Sequence, residues 1–223
     1  MTTASSHGRP LGRAAASPTY HHGALRNALL VAAESLLLEN GVAGFTLRAC
    51  ARRAGVSHAA PAHHFGDTRG LLTAFAAIGF HRMADLMEQH RAVAKGGASA
   101  RLVAVGFAYI SFAQSHRAHF QLMFSGDLLD CDDAELRLAA KRSQDLLETA
   151  LCEAVRDRNL PPADIARRGL LAWSAVHGFA TLLVEGQLDG PFGLNLENTE
   201  RVNAATSQML TLLSPALVGS DAS

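Results

Sequence analysis

Residues 46–65, TLRACARRAGVSHAAPAHHF, decide the fold. Thr46 is a good helix N-cap, and Leu47, Cys50, Ala51 and Ala54 follow at i, i+3, i+4 and i+7. Gly55 breaks that run, and Ser57 is placed to cap a second short helix over about residues 58–64. A helix of about eight residues, a turn at Ala54-Gly55-Val56-Ser57 and a second short helix make a helix-turn-helix. Thr46 brings a hydroxyl and a helix N-terminus, which suit a phosphate. Arg48 and Arg52 lie one turn apart on the face away from Leu47 and Ala51, and with Arg53 can neutralise phosphates. Ser57, His58, Ala59, Ala60, His63 and His64 complete the candidate DNA-facing set, with His58, Ala59, Ala60 and His63 turned to the bases. Pro61 falls near the end of the second helix's first turn, where it costs a backbone hydrogen bond or shifts the cap by one residue.

Outward from this motif the pattern stays helical. Upstream, from about residue 24, Leu25, Leu29, Ala32 and Leu36 mark a helix that Asn40-Gly41 ends. Downstream, Asp67 caps a long helix reaching about residue 94, with Leu72, Phe75, Gly79, Met83 and Leu86 on one face. Further helices are expected at about 99–115, 117–124, 132–158, 162–186 and 198–213. Ser125-Gly126-Asp127, Pro161-Pro162 and Asp189-Gly190-Pro191 separate them as turns. No sustained alternation signals a strand. The expectation is an all-α chain of about nine helices.

Charge divides the chain. Basic and acidic residues number 20 each, yet residues 1–70 carry seven Arg against only Glu34, Glu39 and Asp67. The remainder leans acidic, as expected of a polyanion-facing head on a larger body. The expected divisions are a basic arm over 1–18 with Arg9 and Arg13, a head over 19–75, a helical body over 76–215 and a tail over 216–223. Three Cys without CxxC spacing argue against a disulfide framework or a Cys-based zinc site. Cys50 faces the inside of its helix and reads as inert. The apolar stretch Leu170–Val184 is too short and too polar for a membrane span, and the opening residues lack the apolar run of a secretory signal. A cytoplasmic location follows as the expectation.

Residues 20–75 resemble the TetR family of bacterial transcriptional regulators. The resemblance is carried by Glu39-Asn40-Gly41, Phe45-Thr46-Leu47-Arg48, Ala54-Gly55-Val56-Ser57, His64-Phe65 and Asp67, in that order. A second stretch, AWSAVHGFATLL around Trp173–Gly178, is similar to the Trp-His-Gly signature of one TetR subgroup. The resemblance implies a homodimer with two three-helix heads that bind double-stranded DNA at a palindromic operator. It implies a helical ligand-binding and dimerisation body, and repression relieved by a small, largely apolar molecule. Two departures stand out. Ala62 occupies a position where the family usually has Tyr, and Thr68 one where it often has Lys. Both commonly touch the DNA backbone, so their loss flattens the expected salt dependence unless other Arg residues compensate.

Within the body, Trp173 and His177 lie one turn apart on an apolar helix. Two readings stay open: core packing, or a ligand pocket lined by Trp173, Phe107, Phe112 and Met123 with His177 as its polar handle. Ala175 and Gly178 are small enough for that helix to pack closely, with the last helix and their dimer mates, in a four-helix bundle. His116 and His119 have a two-ligand spacing, but a third ligand such as His81, His90 or His177 is needed from another helix, and no metal or other cofactor is expected. No nucleophile elbow or phosphate loop is present, so no enzyme is expected. The alternative to a DNA regulator is a helical small-molecule sensor acting through a protein partner.

Overall fold

A computed structural model describes residues 18–219, with side chains from Gly23 onward. The expected arm with Arg9 and Arg13, and the side chains of His21 and His22, lie outside the described residues. Within them the chain forms ten α-helices and no strand: α1 (Pro18–Asn40), α2 (Leu47–Ala54), α3 (Ala60–Phe65), α4 (Thr68–Val93), α5 (Ala98–Ser115), α6 (Arg117–Met123), α7 (Ala134–Asp157), α8 (Ile165–Val184), α9 (Asp189–Phe192) and α10 (Thr199–Val218). The all-α expectation holds. The additional helix is the single turn α9, in a stretch that reads as pure turn chemistry because Gly190 and Pro191 sit together. Helix α1 starts at Pro18, six residues earlier than its apolar periodicity suggests, with proline at the helix's first position.

The first four helices supply one end of a continuous apolar core. Leu29, Ala33, Leu36 and Leu37 of α1 meet Phe45, Cys50 of α2, and Leu71, Leu72 and Phe75 of α4. The Thr46 hydroxyl oxygen accepts the Ala49 amide at 3.1 Å, so this N-cap forms as expected. Gly55 stops α2 in the left-handed region, at φ 68°, and its amide closes onto the last turn. The Asp67 carboxylate accepts the Gly70 amide at 2.8 Å to start α4. A side chain at position 70 would press into the Phe65 carbonyl oxygen, so only glycine lets α4 begin this close behind α3. Arg26 lies over the Phe65 ring at 5.2 Å and braces α1 against α3.

The body packs α4, α5, α7 and α8 together, with α10 laid against α5 and α8. Helix α6 is the bridge. It touches α1 of the head and α4, α5 and α8 of the body. At that junction His119 of α6 stacks on Phe75 of α4, with ring centroids 3.8 Å apart. No helix among the described residues is long and apolar enough to cross a membrane.

Candidate functional site

The head presents a polar, basic face. Thr46, Arg48, Arg52, Ser57, His58, Ala59 and His63 are exposed, and His64 is half-buried beside Phe65. Neither Arg48 nor Arg52 forms an ion pair among the described residues. Arg53 differs: its two terminal nitrogens meet both oxygens of Glu39 at 2.8 and 2.6 Å. The Arg53 guanidinium holds the Glu39 carboxyl below its ordinary value by hydrogen bonding. Arg53 therefore ties α2 to α1, a role its position beside Arg52 does not reveal.

The recognition segment differs from expectation in its start. Helix α3 begins at Ala60 rather than at 58, with Ala59 at the cap position and no side-chain cap bond. The Ser57 hydroxyl does not cap it; the Ser57 carbonyl accepts the Ala60 amide at 3.0 Å instead. Pro61 sets this start. Had the helix begun at 58, position 61 would need an amide proton for its first intrahelical bond. Starting at 60 places Pro61 in the first turn, where none is required. Ser57, His58 and Ala59 thus sit in the turn ahead of the helix. Ala60 and Pro61 are buried, which withdraws the Ala60 methyl from the base-facing set.

A cavity of about 640 Å³ opens in the body. Phe80, Met83 and Met87 of α4 form one wall, with Tyr109 of α5 and Phe124 beside them. Leu147 and Leu151 of α7 and Ile165, Leu170 and Trp173 of α8 form the other walls. Gln144 and Glu148, both exposed, stand at the rim. Of the five pocket residues read from the sequence, only Trp173 lines this space. His177 stands behind it: its ring stacks on Trp173 with centroids 4.8 Å apart, and its Nδ1 lies 2.8 Å from the Tyr109 hydroxyl. Burial lowers the His177 pKa and raises that of Tyr109, so two neutral groups share this hydrogen bond at pH 7.

Phe107, Phe112 and Met123, expected in the pocket with Trp173, do not line this cavity. Phe107 stacks on His90, Phe112 is fully buried against His116, and Met123 is packed in the core. Which residues of α5 and α6 reach the cavity depends on helix rotation, which apolar periodicity leaves open. Tyr109, Phe124 and Glu148 line the cavity and are not singled out from the sequence. The spacing of Phe80, Met83 and Met87 is legible as a helical stripe, but nothing in the sequence separates a cavity wall from ordinary core. His116 and His119 stand near each other, ring centroids 6.2 Å apart, but no third histidine joins them among the described residues. His81 meets Glu135, His90 meets Phe107 and His177 meets Tyr109, and no three potential metal ligands cluster among the described residues.

Residues 29–75 match the family model for bacterial regulatory proteins of the tetR family, and residues 102–209 match the tetracyclin repressor-like C-terminal domain. The chain belongs to the TetR family. It is a DNA-binding transcriptional regulator by fold, and TetR regulators are not enzymes. A protein with unknown function from Rhodococcus sp. RHA1 is 39% identical, with a TM-score of 0.70 over 89% of this chain and 100% of that one. The TetR regulator PfmR from Thermus thermophilus is 18% identical, with a TM-score of 0.65 over 83% of this chain and 96% of PfmR. The fatty acid degradation regulator FadR from Bacillus halodurans is 15% identical, with a TM-score of 0.64 over 85% of this chain and 94% of FadR. The last two share the TetR fold only. No curated protein matches the sequence significantly.

Proposed function

We propose that this TetR-family protein is a cytoplasmic homodimeric repressor, released from a palindromic operator by a small, largely apolar ligand. In this reading the head is residues 19–75 and the body runs from 76 to the end of α10 at Val218, three residues past the expected 215. The observation that carries it is that one helix serves both. Leu71, Leu72 and Phe75 of α4 are head core, and Phe80, Met83 and Met87 of the same helix wall the cavity. A ligand that prefers one tilt of α4 changes the position of the head. Two heads of a dimer must meet successive major grooves about 34–36 Å apart. A ligand favouring another spacing lowers operator affinity by its differential affinity for the two states, typically about 1–3 kcal/mol.

Thr46, Arg48, Arg52 and Ser57 contact phosphates in this reading, while His58, Ala59 and His63, with His64 at their edge, face the bases. Leu171 and Leu182 of α8 and Leu212 of α10 are exposed and apolar, which supports pairing through these two helices. The Trp173–His177 stack supports assignment to the Trp-His-Gly subgroup. Selection of bound fragments from the source genome tests the proposal. Enrichment of one palindromic site is the expected result. Sequence-blind recovery contradicts it and favours the sensor acting through a protein partner.

A further inference from the structure

The cavity's charge is lopsided. Among its lining residues only one ionises at neutral pH, and it is an acid, Glu148 at the rim; no Lys, Arg or His lines it. Glu148 makes no hydrogen bond or ion pair among the described residues; Lys141, two turns before it, is bonded to Asp145 at 2.7 and 2.9 Å and feels Glu148 only as the weaker, through-space charge. The walls are aromatic: Phe80, Tyr109, Phe124 and Trp173. Aromatic faces carry the negative side of a quadrupole and attract cations, Trp most strongly. Nothing behind them opposes this. His177, stacked on Trp173, is held neutral by burial, and its Nδ1 is paired with the Tyr109 hydroxyl at 2.8 Å.

We propose that the cavity takes an apolar cation, a molecule whose hydrophobic body fills the space between α4, α7 and α8 and whose positive charge meets Glu148 and the face of Trp173. This rests on reading the cavity as the effector site and gives that site a ligand class. An anionic amphiphile of the same size loses its hydration without gaining a counter-charge, and meets the Glu148 carboxylate at the mouth.

Trp173 is the chain's one tryptophan, so its emission reports directly from the cavity wall. The full-length protein is titrated with three probes of similar bulk: tetraphenylphosphonium, tetraphenylborate and neutral triphenylphosphine oxide. The expected result is saturable quenching with tetraphenylphosphonium bound at least ~10-fold tighter than tetraphenylborate. Glu148→Gln, a change at an exposed position, lowers the cation's affinity ~3–10-fold and leaves the neutral probe unchanged. Equal or tighter binding of the anion or the neutral probe overturns the cation assignment while leaving an effector cavity in place. So does an unaltered cation preference in Glu148→Gln. Failure of all three probes to bind saturably overturns the effector reading itself, and the cation with it.

Discussion

At the residue scale, Arg52 and Arg53 are neighbours with different partners. Arg53 is spent on Glu39, and Arg52 is exposed on the face that carries Arg48. Neutralising one phosphate contact reduces the slope of log affinity against log salt by about 0.9. Arg52→Ala therefore lowers that slope by about one, and Arg53→Ala leaves it unchanged. Anisotropy titrations at several salt concentrations check both. Sequence reading found the basic helix but not this division, because a bidentate pair to a residue on another helix leaves no local spacing. His119 is the second case. It is 1% exposed, its Nδ1 lacks a hydrogen-bond partner, and burial lowers its pKa to about 3. Glu34 approaches it at 3.6 Å, but a neutral ring makes no ion pair there. The unfolded chain takes up a proton near pH 6.5 and the folded chain does not, so stability falls as pH drops from about 6.5 towards 3. The loss is on the order of a few kcal/mol at most. Thermal unfolding of His119→Leu shows a shallower decline across that window than the parent protein; an identical decline refutes the assignment.

At the element scale, α4 carries the mechanism. Its long span, expected over about 67–94, is observed at Thr68–Val93 because Asp67 caps it and no Pro removes an amide donor from it, while Gly70 and Gly79 keep theirs. Helix α3 was less legible, because the consequence of Pro61 depends on where the first turn falls. Helix α10 runs on to Val218, past its expected end near 213 and through Pro215, so a proline was not a stop here. Leu72 packs in the head core at the start of α4. Leu72→Ala costs roughly 2–5 kcal/mol of stability. Below the variant's melting point it weakens ligand-induced release, because the head no longer follows α4 as one body. Normal release with normal operator affinity in Leu72→Ala rules out α4 as the lever. The readout is loss of operator anisotropy on adding ligand.

At the scale of the whole molecule, an all-α head and body were legible in helical periodicity, turn residues and the charge division near residue 70. The cavity was not, since its walls come from four helices whose mutual rotation is set by tertiary packing. The exposed Leu171, Leu182 and Leu212 lie on the two helices that the dimer reading uses. The double change Leu171→Glu and Leu182→Glu is expected to give a monomer in sedimentation velocity and to abolish tight operator binding. A persistent dimer places the interface elsewhere. The central claim is that this protein reads a specific DNA sequence. Anisotropy titration of the genome-selected site against a scrambled duplex, over roughly 50 to 200 mM salt, tests it most directly. Sequence-specific recognition predicts binding to the selected site at least ~10³-fold tighter than to the scramble, with affinity falling steeply as salt rises. Equal affinity for the two duplexes contradicts it.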